Sequence, residues 1–295
     1  MRRILKLSLT CLAAGVVTAC DIETEILTEA IPTAGVRFIH AVPDTALMDF
    51  RFVDMVENNP HFNIAFRNNV VTSPAGVDGV PASTLVQYKP ARAGSRQFRI
   101  FMNGNCTVNA CDQSYASTVV FDQTVTLTAG SNYTAIVWGN ARGGAPAMRL
   151  DFFEETVADP GTNVALRVFN ATGSAIDVAV LTDAGAALAT PVNFTAVPAL
   201  STSAYATTAP AILRYNVQPA GGGTALFANS RALMGAAAVT VAPGPIDAAP
   251  GTTVAGSAVS GIVFPRSVSG SQAPNFTTPA ISFVWDRRPP RPAGL

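Results

Sequence analysis

A β-rich run with one internal arginine occurs twice in this chain, as Ala34-Gly35-Val36-Arg37-Phe38-Ile39-His40-Ala41 and as Val164-Ala165-Leu166-Arg167-Val168-Phe169-Asn170-Ala171. Both runs end in a polar residue followed by alanine. β-Branched and aromatic residues are typical of strands, so each run is predicted to be a β-strand.

Further short runs of the same kind follow both copies, separated by Gly, Pro and Asn. Met48 to Val53 alternates cleanly between apolar and polar residues. The other predicted strands of the first half are Gln97 to Met102, Ser117 to Leu127, Tyr133 to Trp138 and Met148 to Phe153. Short strands at roughly 8–12-residue spacing, with turn residues between them, predict an all-β fold of the sandwich type.

The order of features repeats along the chain. Ile176-Asp177 parallels Met48-Asp49, and Tyr205 parallels Tyr88. We therefore predict two tandem Ig-like β-sandwich domains, over residues 35–157 and 163–286. A polar tether over 20–34 precedes them, and an Arg/Pro-rich tail over 287–295 follows.

The N-terminal residues 1–19 have the pattern of a lipoprotein signal peptide. Arg2, Arg3 and Lys6 precede an apolar run that ends in Val17-Thr18-Ala19-Cys20. Small residues before a cysteine form a bacterial lipobox, in which Cys20 would take the lipid; the alternative is an ordinary signal peptide with a chance cysteine. The pattern predicts export and a lipid anchor in the bacterial cell envelope, with the outer membrane, the periplasmic face and the cell surface all left open.

The charge balance argues against a nucleic-acid partner. Removal of the leader takes three of the 19 basic residues, which leaves 16 against 19 acidic residues. A net charge of about −3 gives no reason to expect binding to nucleic acid or to anionic headgroups. Charged residues make up 13% of the chain, about half the usual share, and the abundant β-branched residues are not typical of disorder.

Two cysteines remain once Cys11 leaves with the leader and Cys20 is lipidated. They are Cys106 and Cys111, in a polar, turn-rich segment. In an exported protein this spacing favours a short-loop disulfide. A metal site is the alternative, but two thiolates without a nearby histidine are a poor zinc ligand set.

One motif resembles a known family. Val36-Arg37-Phe38-Ile39-His40-Ala41-Val42-Pro43-Asp44, then Met48-Asp49, and later Ala129-Gly130-Ser131-Asn132-Tyr133-Thr134 are similar to the bacterial domain of unknown function numbered 4397. Its members open with "R-V-x-H-A-S-P-D-A-P-x-V-D" and close near "A-G-x-x-Y-T". The resemblance covers about Val36 to Glu155, and implies an exported, often lipid-anchored protein with domains in tandem. The second half departs from the motif, with Asn170-Ala171-Thr172-Gly173 in place of the His-Ala-x-Pro-Asp segment.

The motif residues His40, Pro43, Asp44, Asp49 and Tyr133 are predicted to be structural. The sequence has two histidines, no Gly-x-Ser-x-Gly elbow and no Asp-x-Asp-x-Asp-Gly calcium loop. We therefore expect no enzymatic activity, no cofactor and no metal. The rival interpretation is a hydrolase of cell-wall or extracellular polymers that uses His40, Asp44 and Asp49.

The favoured function is a non-enzymatic binding or scaffold module of the cell envelope. The expected partners are the membrane, through the lipid, and a polysaccharide or another envelope protein. A sugar-stacking platform could draw on Phe62, Phe66, Tyr88, Trp138 and Trp285, although aromatic residues in strands more often belong to a core.

Overall fold

The computed structural model describes residues 30–55, 61–68, 87–102, 118–183, 187–241 and 244–291. Over these ranges the chain is almost entirely β-structure, with a single 3₁₀ turn at Phe66–Asn68. No helix within them is long and apolar enough to cross a bilayer. Cys20, Cys106 and Cys111 lie outside the described residues, as does the predicted leader.

The N-terminal sandwich has eight strands within the described ranges. They are β1 (Thr33–Ala41), β2 (Met48–Phe52), β3 (His61–Ile64), β4 (Lys89–Arg92), β5 (Gly94–Met102), β6 (Thr118–Leu127), β7 (Asn132–Trp138) and β8 (Arg149–Glu154). One four-stranded sheet has the order β4-β1-β7-β8, and the other has the order β3-β2-β5-β6.

The C-terminal sandwich has the remaining strands. They are β9 (Val164–Asn170), β10 (Ile176–Thr182), β11 (Ala187–Val197), β12 (Ser201–Thr202), β13 (Ala206–Thr208), β14 (Leu213–Pro219), β15 (Phe227–Arg231), β16 (Val239–Val241), β17 (Gly244–Ile246), β18 (Ala258–Phe264) and β19 (Ala280–Arg287). One sheet has the order β12-β9-β18-β19, with β13 also on β9, and the other has the order β11-β10-β14-β15. β16 and β17 form a separate hairpin.

The two sandwiches have the same strand order, with β9, β10, β14 and β18 in the places of β1, β2, β5 and β7. The prediction of an all-β sandwich fold is confirmed. A parallel pair lies at the centre of each first sheet, β1 with β7 and β9 with β18. The immunoglobulin constant domain uses antiparallel sheets instead, so this pair is a feature that strand periodicity did not predict.

Each sandwich has its own apolar core between its two sheets. In the N-terminal sandwich Val36 and Phe38 of β1 pack against Phe50 of β2 and Phe98 of β5. In the C-terminal sandwich Leu166 and Val168 of β9 pack with Val178, Tyr215 and Phe283. Val36 and Phe38 are two residues apart, as are Leu166 and Val168, so each pair lies on one face of its strand.

The opposite faces of β1 and β9 are buried as well, because the two sandwiches pack against each other. Residues from Thr33 onward form one compact unit. A third apolar cluster joins Ile39 and Trp138 of the N-terminal sandwich to Phe169, Ile262 and Phe264 of the C-terminal sandwich. The Phe153 and Phe169 rings stack across this junction, with centroids 6.0 Å apart. Both faces of the two central sheets are therefore covered by protein.

A buried cluster of four charges lies in the same junction. The Arg37 guanidinium is 2.8 Å from Glu155 and 2.6 Å from Asp286, while Arg167 is 2.8 Å from Glu155 and 3.3 Å from Asp286. Two positive and two negative groups balance, as buried charges require. Burial opposes ionisation of Asp286, but the two guanidiniums outweigh it and lower the pKa of its carboxyl.

The neighbours of the two arginines also correspond. Arg37 Nε donates to Thr134 at 2.8 Å, and Arg167 Nε donates to Ser260 at 3.0 Å. Thr134 and Ser260 lie opposite the two arginines in the parallel registers. Arg37 also lies over the Tyr88 ring and Arg167 over the Tyr205 ring, at 4.8 and 4.5 Å.

The predicted tail begins inside the last strand, because Arg287 belongs to β19. Arg287 pairs with Asp159 at 2.7 Å, and Arg291 pairs with Asp247 at 2.8 Å. The described part of the tail thus lies against the C-terminal sandwich.

Candidate binding cleft between the two sandwiches

A cleft of about 760 Å³ opens at one end of the junction. The N-terminal sandwich contributes Pro43 and the loop that follows β7, including Gly139 and Asn140. The C-terminal sandwich contributes Leu200 and most of the β18–β19 loop, from Pro265 to Thr277. The lining is therefore made jointly by both halves of the molecule.

The lining combines apolar residues and glycines with polar side chains, most of which are neutral. Asn140, Asn275, Ser269 and Thr277 supply amide and hydroxyl groups, and Phe276 supplies an aromatic ring. Arg266 is the one charged side chain among the described residues of the lining. These polar groups can form hydrogen bonds with a polar ligand, and the apolar residues between them add contact surface.

Arg67 holds the β18–β19 loop against the N-terminal sandwich. Its Nη2 donates to the carbonyls of Pro265 and Thr278, the latter at 2.6 Å, and its guanidinium lies 4.4 Å from the Phe276 ring centre. Arg67 is 7% exposed, and burial lowers its pKa to about 10. It stays protonated at neutral pH and fixes the wall of the cleft.

The backbone at Arg67 is unusual. Arg67 and Asn68 both have positive φ, 65° and 50°, a region that side-chain-bearing residues rarely adopt. The Asn68 side chain holds this turn on β1, since it accepts from the His40 N–H at 2.8 Å and donates to the Phe38 carbonyl at 2.7 Å. The strained turn directs Arg67 towards the other sandwich.

His40 is fully buried at the end of β1 and contacts the turn that follows. Its Nδ1 accepts from the Val42 N–H at 3.2 Å, so the ring proton belongs on Nε2, which lies 3.1 Å from the Ala46 carbonyl. Burial lowers the pKa of His40 to about 4. The imidazole is therefore neutral at physiological pH.

Pro43 and Asp44 connect this turn to the cleft. Pro43 lines the cleft, and its carbonyl accepts from the Val268 N–H at 2.9 Å. The buried Asp44 carboxylate accepts from the Ala141 and Arg142 N–H groups, at 2.9 and 2.8 Å. Asp44 thus holds the loop that begins at the cleft wall.

Asp49 and Tyr133 lie elsewhere in the N-terminal sandwich. Asp49 is buried on the face of β2 opposite the core and forms an ion pair of 2.8 Å with Arg51. The Tyr133 hydroxyl accepts from the Thr128 N–H at 3.0 Å and donates to Glu154 at 3.3 Å, at the start of β7. His40, Pro43 and Asp44 are together at the cleft end of the sandwich, and Asp49 and Tyr133 do not join them.

The described residues include no group of three or more His, Cys, Asp or Glu side chains that could hold a metal ion. Of the aromatic residues considered for sugar stacking, Phe66 and Trp138 are buried in the junction. Tyr88 and Trp285 pack against each other, with ring centroids 5.5 Å apart. The Phe62 side chain lies outside what the structure describes.

Sequence reasoning did not find Arg67, Arg266 or the β18–β19 loop. Arg67 contacts residues 198 and 211 positions further along the chain, a pairing that no local pattern reveals. The sequence did contain a sign of the buried charge cluster. Arg37 and Arg167 occupy matching positions in two strands that are apolar on both faces. Strands buried on both faces indicate a layer on each side.

The chain matches the model of a known protein family. A family model described as "Domain of unknown function (DUF4397)" matches residues 34–181, half of the chain. The chain belongs to this family. No curated protein matches it.

The DUF4397 match extends beyond the resemblance noted in the sequence. It runs from β1 through the whole N-terminal sandwich and into β10, the second strand of the C-terminal sandwich. The family segment therefore contains Arg37, Glu155 and Arg167, three of the four buried charges. Of the DUF4397 motif from His40 to Asp44, Pro43 lines the cleft and Asp44 holds the loop after β7.

Proposed function

We propose that the mature protein is an exported, lipid-anchored binding module of the bacterial cell envelope, which holds a polysaccharide segment in the cleft between its sandwiches. The observation that carries the proposal is the cleft itself, about 760 Å³ in volume and lined by amide and hydroxyl groups from both halves. Export and lipidation are supported by the leader and Cys20 in the sequence.

The lining chemistry favours a carbohydrate. Sugar hydroxyls both donate and accept hydrogen bonds, and Asn275 and Thr277 offer both functions. The Asn140 amide nitrogen already donates to the Ala145 and Pro146 carbonyls, which leaves its oxygen as an acceptor. The half-buried Phe276 ring adds an apolar surface of the kind on which a sugar face packs. Because the wall loop is held by Arg67 and Pro43, the site is largely preformed, which reduces the ordering cost of binding.

Hydrolysis at this cleft is less well supported. Glycoside hydrolysis generally needs two carboxyl groups that flank the scissile bond. Among the described lining residues there is no Asp, Glu or His. His40 and Asp44 have their polar atoms committed to nearby backbone groups. Asp49 pairs with Arg51 on β2, in the other sheet.

Co-sedimentation tests the binding proposal. The mature chain carrying Cys20→Ser is mixed with isolated cell-wall polymer and, separately, with outer-envelope polysaccharide. We expect it to sediment with one of them, and the double change Asn275→Ala with Thr277→Ala to reduce the sedimented fraction. Thr240→Ala, an exposed position on the separate hairpin, is the matched control and should bind normally. Failure to sediment with any envelope fraction would contradict the proposal.

Location needs a separate measurement. Protease treatment of intact cells, followed by mass spectrometry of peptides between Val36 and Arg288, distinguishes a surface protein from a periplasmic one. Released peptides indicate cell-surface exposure. Protection that ends only when the outer envelope is opened indicates the periplasm.

A further inference from the structure

The cleft carries an excess of positive charge. Arg266 is exposed on its lining, and the part of the chain that the structure describes provides no carboxylate that pairs with it. Arg67 lies directly behind the same wall, below Phe276 and beside Pro265. The β18–β19 loop therefore has two guanidiniums, that of Arg266 at its surface and that of Arg67 behind it.

The charge on Arg67 also lacks a counter-ion among the described residues. Its polar contacts are the carbonyls of Pro265 and Thr278, and its charged plane lies over aromatic rings. Elsewhere in this chain buried arginines have carboxylates, as Arg37 and Arg167 do. A buried charge without a partner raises the local potential over a longer range than a solvated one, because water does not screen it.

The nearest motif carboxylate does not cancel this field at the lining. Both oxygens of Asp44 accept backbone N–H groups from the loop after β7. Asp44 is 3% exposed and is not among the lining residues of the cleft. Its single negative charge offsets at most one of the two guanidiniums, so the wall keeps a net positive charge.

We infer that the cleft selects an acidic polysaccharide, with a carboxylate of the sugar chain bound at Arg266 and favoured by the uncompensated charge of Arg67 behind the loop. The inference rests on the proposed binding function and specifies the ligand class. Arg266 would contact the ligand, and Arg67 is a positioning residue that holds the wall and biases its potential. The neutral amide and hydroxyl groups would bind the sugar hydroxyls.

The test compares two ligands that differ only in charge. Oligogalacturonate and the same oligomer with methyl-esterified carboxyls are titrated into the full mature chain carrying Cys20→Ser, by calorimetry, at low and high salt. We expect the acidic oligomer to bind more tightly and its advantage to shrink with salt. Arg266→Gln should reduce its affinity about tenfold, as expected for loss of one hydrogen bond to a charged group, and leave the ester unaffected.

A matched control separates local from general charge effects. Arg288 is an exposed arginine beside a second pocket, which is lined by residues from the start of β7 rather than from its end. Arg288→Gln removes the same charge from the protein and should leave both affinities unchanged.

Arg67→Lys keeps the charge and should retain the preference for the acidic oligomer, while Arg67→Met should weaken it. Thermal unfolding reports whether each Arg67 variant is folded. If either is not, the Arg266→Gln affinities decide whether the cleft selects the acidic oligomer.

Equal binding of the acid and the ester would overturn the inference and leave the binding function in place. Acid binding that is lost in Arg288→Gln but kept in Arg266→Gln would also overturn it, since the site would lie elsewhere. If neither oligomer binds, acid selection at this cleft is wrong, and the sedimentation assay decides separately whether the module binds envelope polymer.

Discussion

Arg37 and Arg167 occupy equivalent positions in β1 and β9, and their side chains end in one shared cluster. Each arginine donates to a hydroxyl on the parallel neighbour and lies over a tyrosine ring. Glu155 and Asp286 supply the negative charges. Glu155 directly follows the last residue of β8, and Asp286 is the second-to-last residue of β19. The cluster therefore depends on both halves and is complete only when they are packed together.

Asp286→Asn tests this dependence. The change leaves Arg37 and Arg167 with one carboxylate between them, so the free energy of unfolding should fall by about 3–5 kcal/mol in urea titrations. Because the pKa of Asp286 is lowered in the folded state, its contribution is present above the ordinary value of 3.8 and is lost as the pH falls below it. Asp247→Asn, which breaks an exposed pair with Arg291, is the control and should cost about 0.5 kcal/mol or less. Equal losses in the two variants would contradict the role of the cluster.

His40 should make stability depend on pH in a different range. Its pKa is lowered from 6.5 to about 4 by burial, so below pH 6.5 the unfolded chain takes up a proton that the folded chain does not. The free energy of unfolding should therefore fall by about 2 kcal/mol between pH 6.5 and pH 5 on account of this group. In His40→Asn the loss over the same interval should be smaller. The equivalent residue Asn170 already accepts the Thr172 N–H in the second half, so asparagine suits this position. Identical pH slopes for the two proteins would refute the prediction.

At the scale of the strands, β1 and β9 differ from the outer strands in having no solvent face. In β2 the core face carries Met48, Phe50 and Phe52, and the other face carries the pair of buried Asp49 with partly exposed Arg51, whereas every residue of β9 is buried. Central strands covered on both sides position the loops at their ends rigidly. The cleft lies at such an end, where β1, β7 and β18 finish.

Glycines at the two ends of β7 provide a test of that rigidity. Gly139 has φ +88°, and a Cβ there would overlap with the Ala147 carbonyl across the loop. Gly130 has a similar φ of +81° and no atom within 4 Å of the position of a Cβ. Gly130→Ala should cost about 1 kcal/mol from backbone strain alone, and Gly139→Ala about 3 kcal/mol or more because the clash adds to it. Thermal unfolding of the two variants measures the difference, and a Gly139→Ala protein as stable as Gly130→Ala would count against the close packing of this loop.

The strands were predictable because their signal is local. Val36 to His40, Met48 to Val53 and Tyr133 to Trp138 carry enough β-branched and aromatic residues for their positions to agree with β1, β2 and β7. The cleft was not predictable from the sequence, because its walls come from segments far apart in the chain and depend on how the sandwiches pack. Pro43 and Asp44 were singled out through the family motif, but nothing adjacent to them in sequence indicates that Val268 and Ala141 are their partners. Arg67 lies in the short turn after β3, where no periodic sequence pattern applies.

For the whole molecule, the shared junction has a thermodynamic consequence. The third apolar cluster and the four buried charges would both be exposed if one sandwich unfolded alone. Calorimetry of the mature chain should therefore show one cooperative transition, with equal calorimetric and van't Hoff enthalpies. Two resolved transitions would show instead that the predicted domains, 35–157 and 163–286, are energetically independent.

The two halves are equivalent in strand order but not in the residues that line the cleft. This difference is possible because the halves are parts of one chain with different sequences. In a pair of identical chains related by a two-fold axis, every substitution appears on both sides. Here the two halves share one strand order but are different sequences, so Arg67 exists once and its carbonyl acceptors exist once, on the other half. A change in the β18–β19 loop can therefore alter what the molecule holds without a matching change at the opposite end. Ligand preference can therefore change through one half alone.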